Sequence, residues 1–277
     1  MNLISFITAN YVARELGFHM EKGWMQGDEA TNAFFRPEET FAARFDALLG
    51  EIRDLGYTAA DVWTAHLNPK WATRGHVSAA REALARHGMR VPTMAGYFGD
   101  TEDELRAACR LARELDCTIL GGGQGLLKTD RPLLAKVLRE EGVRLGVENH
   151  PEKNLGELLA RMGEGDEDVI GAAVDTGWFG TQGYDATEAI AGLKGRLFHI
   201  HLKDVKERRK EPTGFQFIDM GHETCRFGAG IVPIERCVKT AIRDGYTGPI
   251  SIEHEPEDYD PSEDVRASLL LLKSMLS

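Results

Sequence analysis

REEGVRLGVENH, Arg139 to His150, holds in twelve residues the local grammar from which the fold follows. The charged end of a helix stops at Gly142, the residue type that takes a left-handed cap without a Cβ penalty. An extended run starts at once. Leu145 and Val147 lie on one face and Gly146, Glu148 and His150 on the other, because side chains alternate along a strand. Glu148 is therefore a carboxylate at the end of an apolar run, and burying it is costly unless something pairs with it.

The same helix–Gly–strand unit recurs at DLGYTAADVW (Gly56), RHGMRVPTM (Gly88) and RDGYTGPISI (Gly245). Strands alternating with helices of this length build βα units around a parallel sheet. Strands are expected at about 3–8, 58–63, 90–95, 117–121, 143–148, 169–175, 196–202 and 249–254. Helices are expected at about 39–55, 78–87, 101–115, 130–141, 155–162, 185–193, 233–244 and 262–276. Eight such units predict an α/β fold, a single-domain (β/α)8 TIM barrel over residues 1–277, in preference to an open doubly wound sheet. Pro37 with Glu38 and Glu39 marks one helix start, and Thr101 with Glu104 forms a capping box at another. Phe41, Phe45, Leu48, Ile52 and Leu55 recur at helical spacing and should face the sheet. Two connections are long, Ala9 to Pro37 and Val205 to Val232; both follow strands, which puts both on the C-terminal face.

Composition narrows the function classes. The 277 residues are 42% hydrophobic and 28% charged, with a formal charge of −11, which argues against standing affinity for nucleic acid or acidic membranes. The four cysteines lack Cys-x-x-Cys spacing and read as small buried hydrophobes in a reducing compartment. MNLISFITANYVARE has no basic n-region and no apolar run reaches transmembrane length, so a cytoplasmic location is expected.

Parity along the last four strands is the informative pattern. In RLGVENH, GAAVDTGW, LFHIHLKD and GPISIEHE, one face is apolar and the other ends in Glu148, Asp175, His201 or Glu253. On a barrel those four ends converge on one mouth, where catalytic residues gather. Gly146, Ala173, His199 and Ser251 lie two residues deeper, and three of them are small, leaving room above. Three carboxylates cannot crowd together ionised without a counter-charge. A divalent cation supplies it, and two Glu, one Asp and one imidazole suit Mn²⁺, Mg²⁺ or Co²⁺ better than a structural zinc. His199, being deeper, reads as a core histidine.

VENH, VDTGW, HIHLKD and the closing stretch GAGIVPIERCVKTAIRDGYTGPISIEHE together resemble the xylose isomerase-like TIM-barrel superfamily of sugar isomerases and epimerases, which includes endonuclease IV and inosose dehydratase. The resemblance covers nearly the whole chain. It implies that Glu148, Asp175, His201 and Glu253 hold one divalent metal, Mn²⁺ first, with Mg²⁺, Co²⁺ and Zn²⁺ as alternatives. It also implies that Glu148 and Glu253 are the acid/base pair of an isomerase or epimerase working through an enediolate, since a metal-polarised carbonyl makes the neighbouring C–H removable. One departure stands out: many members carry Asp-x-x-His after the sixth strand, and here the run is Asp175-Thr176-Gly177-Trp178. That loss, with the acidic charge, weakens an endonuclease IV-like reading that needs several zincs. The enzymatic alternative is an inosose-type dehydratase; a non-catalytic sugar-binding barrel is a further one.

The small-molecule substrate, a sugar or keto-polyol, has further candidate contacts in Trp63, His66, His150, Trp178, Lys203 and Arg208, with His222 in the second long connection. Trp178 offers a stacking face, and His150 and Asn154 are placed to orient Glu148. LGGGQGLLKT fails the phosphate-loop spacing, because Leu127 stands where Gly must precede Lys128. GFHMEKGWMQ suits a lid over the mouth. No nucleic-acid or membrane partner is expected, and homo-oligomer formation is left open.

Overall fold

The computed structural model describes residues 2–208 and 221–276. Its strands are β1 (Ile4–Ile7), β2 (Ala60–Trp63), β3 (Met94–Tyr97), β4 (Ile119–Gly123), β5 (Arg144–Glu148), β6 (Ile170–Asp175), β7 (Leu197–Leu202), β8 (Asp204–Glu207), β9 (His222–Cys225) and β10 (Ile250–Ile252). Strands β1 to β7 follow one another around a closed barrel, and β10 fills the gap between β7 and β1. Every pairing in the barrel is parallel, with Ile4 opposite Ile250 and Ile250 opposite Ile200 at the closure. This is the (β/α)8 architecture expected from the repeated unit.

Alternation places the core. Leu145, Val147, Ala172, Val174, Ile200, Leu202, Ile250 and Ile252 are all buried outside the barrel wall, beneath the ring of helices that parallel strands require for cover. Helix Glu38–Asp54 turns Phe41, Phe45, Leu48 and Ile52 into that layer, each fully buried. Gly142 ends helix Arg131–Glu141 at φ 66°, where its N–H reaches back to the carbonyls of Leu138 and Arg139. The Thr101–Glu104 capping box forms as expected.

The third strand starts later than its composition suggests. Arg90 makes an isolated bridge with Ala59, and the continuous ladder begins only at Met94, because Pro92 has no N–H to donate. The Gly-rich run after the fourth strand is itself strand: Gly122 has φ 147°, and a Cβ there would stand 1.9 Å from the carbonyl oxygen of Gly96. Only glycine lets β3 and β4 come that close.

Both long connections carry structure of their own. The first folds into two 3₁₀ turns and helix Trp24–Phe35. A Cβ on its Gly27 would lie 2.3 Å from the Val12 carbonyl, so the glycine that looks like a helix breaker is a packing requirement. The second forms the antiparallel hairpin β8–β9, with Asp204 opposite Cys225. Residues 209–220 of that connection, including Arg209 and Lys210, lie outside the described residues. Asp204 is fully buried at the hairpin's base and accepts hydrogen bonds from the backbone of Val205, Gly228, Gly230 and Val232. Among the described residues no helix is long and apolar enough to cross a membrane.

Candidate metal centre

Glu148 and Asp175 are the last residues of β5 and β6, His201 is the penultimate residue of β7, and Glu253 follows β10 directly. Parallel strands put all four at the C-terminal rim. His201 is the hub. Its Nδ1 lies 2.8 Å from Oε1 of Glu148 and 3.2 Å from Oε2 of Glu253, and these three side chains could together hold an ion. Asp175 is grouped instead with Glu148 and His150. His150 stands between them, its Nδ1 3.6 Å from Glu148 and its Nε2 3.3 Å from Asp175.

Local rules aim Asp175. Its side chain caps the short helix Thr176–Thr181, with Oδ1 accepting from Gly177 at 2.7 Å and Trp178 at 3.0 Å. That leaves Oδ2 turned toward His150 and Lys203. Asn149 locks the same residue from the other side, exchanging hydrogen bonds with the backbone N–H and carbonyl of Asp175.

Acids outnumber bases here. Lys203 donates to Glu253 at 2.7 Å and to Glu255 at 2.9 Å, and lies 3.8 Å from Asp175. One ammonium thus serves three carboxylates while Glu148 leans on imidazoles. Burial pushes the Glu253 carboxyl up to about 8, helped by Asp175 and Glu255 and opposed by Lys203. Burial pushes Glu148 up as well, but His150 and His201 outweigh it and hold this carboxyl well below the usual range. His150 is raised to about 10, because Glu148 and Asp175 overcome its desolvation. Glu253 Oε2 and His150 Nε2 are buried without a hydrogen-bond partner. Without an ion this cluster balances its carboxyl groups by holding protons on Glu253 and His150, and with its spare buried ligand atoms it fits a divalent cation in their place.

The other candidates divide by position. Lys203 and His150 face the cluster. Trp178 is buried, with its indole N–H donating to the carbonyl of Glu152 and its ring meeting His150 edge-on at 4.7 Å. Trp63 packs against Trp24 at 5.0 Å, and Trp24 in turn reaches Glu255. His66, 1% exposed, packs against Phe35 and Trp63. Arg208 lies 3.5 Å from Glu257. Asn154 does not orient Glu148; its side chain caps helix Leu155–Met162 by accepting from Glu157.

Three residues of this region escape a reading confined to strand ends. Trp24 comes from a segment whose register only the fold supplies, whereas Glu255 continues the alternation of Ser251 and Glu253 in GPISIEHE. Asp61 on β2 is fully buried, 3.3 Å from Nε2 of His201 and 3.4 Å from Nε2 of His199. Its signal was available, since in TAADVW it breaks an apolar run and shares a face with Trp63.

Residues 49–275 match the family model described as xylose isomerase-like TIM barrel. Among solved structures, the IOLI protein with a bound zinc atom shares 14% identity, with 100% of this chain and 98% of that one covered at a TM-score of 0.68. An L-ribulose 3-epimerase shares 14% identity over 100% and 95% of the two chains, TM-score 0.67. The probable 3-DHS dehydratase AsbF from Bacillus anthracis shares 12% over 99% of each, TM-score 0.67. At these identities the likeness establishes the fold. No curated protein sequence matches the chain.

Proposed function

Because the chain belongs to the xylose isomerase-like TIM-barrel family, we propose that it is a divalent-metal-dependent isomerase or epimerase of a sugar or keto-polyol. The observation that carries this reading is the convergence of Glu148 and Glu253 on Nδ1 of His201, at 2.8 and 3.2 Å, in a pocket crowded with carboxyl groups. Glu148, Asp175, His201 and Glu253 would hold the ion, with Mn²⁺ the first candidate for three carboxylates and one imidazole. When bound, it would supply the positive charge that makes a C–H bond beside a carbonyl acidic.

The chain's own groups would do the rest. Glu148 and Glu253 reach the pocket from β5 and from the end of β10, with β6 and β7 between them. One takes the proton and the other returns it, giving an epimer when it returns to the opposite face of the same carbon. Return to the neighbouring carbon interconverts aldose and ketose. Lys203, already hydrogen-bonded to Glu253, is placed to bind a substrate hydroxyl or oxyanion. Trp24 and Trp63 would provide an apolar wall for one sugar face and keep water out.

Incubation of the Mn²⁺-loaded protein with a panel of ketohexoses in D₂O tests the proposal. An isomerised product carrying deuterium at the reacting carbon is expected; an unchanged, unlabelled panel together with an unchanged keto-inositol would defeat it. The keto-inositol covers a second reading, dehydration. Lys203 favours that one, because an ammonium beside the acid/base glutamate can protonate a departing β-hydroxyl. Dehydration would show as enone absorbance without an isomerised sugar.

A further inference from the structure

Below the rim, the barrel interior holds a second polar network with a defined direction. Ser251 on β10 lies 2.9 Å from Oδ2 of Asp61, 2.7 Å from Nε2 of His199 and 2.8 Å from Oγ of Ser5. All four residues are fully buried. An ionised carboxylate only accepts, so the Ser251 hydroxyl donates to Asp61. The oxygen of Ser251 then accepts from the His199 Nε2–H and from Ser5, which fills its lone pairs. His199 thus carries a proton on Nε2, and its buried Nδ1 has no partner for a second one, which makes the imidazole neutral. Its Nδ1 abuts β4, where a Cβ on Gly121 would stand 3.0 Å away. Glycine at 121 makes the space in which this ring sits.

The network leaves Asp61 as its charged group; beside Thr93 and His199, that carboxylate faces Nε2 of His201 at 3.3 Å, a buried nitrogen with no other partner. The His201 and His199 rings meet edge-on at 4.4 Å, so the wall of the barrel limits how far His201 can turn. We infer that Asp61 is a positioning residue for His201: its carboxylate takes the Nε2–H, so that Nδ1, the nitrogen facing Glu148 and Glu253, is the one left to meet the ion those glutamates would hold. Histidines that ligate metals commonly donate their second ring nitrogen to a carboxylate, which sets the tautomer and strengthens the ligand. Here the carboxylate comes from the opposite half of the barrel, held by a serine from a third strand. The inference rests on the metal reading above and adds to it the residue that aims the imidazole.

The test compares wild-type protein with Asp61→Asn, which keeps the shape and removes the charge, and with Ser251→Ala, which frees Asp61 without touching it. Zn²⁺ uptake is measured by competition with a chromophoric chelator, and the imidazole N–H protons of the Zn²⁺-loaded proteins by NMR. Wild type should take up one ion per chain and show a slowly exchanging downfield Nε2–H from His201. Asp61→Asn should bind Zn²⁺ ~10- to 100-fold more weakly, with that proton shifted upfield and exchanging faster; Ser251→Ala should move the same way by less. A merely structural role for Asp61 would lower the unfolding temperature and leave the His201 proton where it is. Equal affinity and an unmoved proton in Asp61→Asn, with wild type loaded, overturn the inference alone. A second ion that only Asp61→Asn removes would make Asp61 a ligand and overturn it too. No uptake by wild type would end the metal reading and this inference together.

Discussion

His201 and Glu148 meet at 2.8 Å, Nδ1 to Oε1, although 53 residues separate them in the chain. They belong to β7 and β5, and β6 runs between. The contact is possible because each residue stands at the inward face of its strand end, Glu148 above Gly146 and His201 above the His199 ring, with Ala173 small between them. A Cβ on Gly146 would already be 3.2 Å from Ala173, so nothing larger fits beneath.

Replacing either glutamate tests the acid/base pair. Glu148→Gln and Glu253→Gln keep the size and hydrogen-bonding oxygen but not the basicity, and each should lower turnover by ~10²–10⁴-fold. Deuterium incorporation into substrate reads this directly. Retention of full exchange by either variant would remove that residue from the proton path.

Loading with metal should stabilise the fold by mass action. At an ion concentration one hundred times Kd the gain is about 2.7 kcal/mol. Urea unfolding with Mn²⁺, and again after EDTA, measures it; superimposable curves would show that the pocket does not bind the ion.

Asp175 has two separable duties. Asp175→Asn keeps an oxygen for the N–H groups of Gly177 and Trp178, whereas Asp175→Ala strands both. Both variants should lose metal affinity. Without metal, the alanine variant should be less stable than the asparagine variant by ~1 kcal/mol, the usual worth of a helix cap. Equal stabilities would mean that the cap contributes nothing.

His66 should shape the acid limb of stability. Burial, helped by Arg14, lowers its imidazole to about 3, against an ordinary value of 6.5. As pH falls below 6.5 the unfolded chain takes up a proton that the folded chain refuses until about 3, so stability declines over that window. The slope for one proton is ~1.4 kcal/mol per pH unit. His66→Phe, beside Phe35 and Trp63, should lack that slope, so the stability difference between the two proteins should change by about that much per pH unit. Parallel curves from pH 6.5 to 4 would contradict a neutral buried His66.

Much of this architecture is legible from local rules. Gly56, Gly88, Gly142 and Gly245 announce the βα repeat, and alternation along four strands brings Glu148, Asp175, His201 and Glu253 to one rim. Position in three dimensions is harder to read. Asp61 obeys the same alternation, but what it faces depends on the barrel closing β2 against the far strands. The β8–β9 hairpin is invisible because its stability comes from Asp204 gathering backbone N–H groups more than twenty residues onward. Helix Trp24–Phe35 hides behind Gly27, and β3 shifts because Pro92 cannot join a ladder. In each case a tertiary contact outweighs local propensity.

Barrel closure also imposes a timetable. During synthesis Glu148 leaves the ribosome about a hundred residues ahead of Glu253, and β10 must slot between β7 and β1 before the two can converge. A nascent chain halted before Ile250 would carry three of the four acidic and imidazole groups on an unfinished sheet. The full constellation is thus assembled only when the last strand docks between β7 and β1.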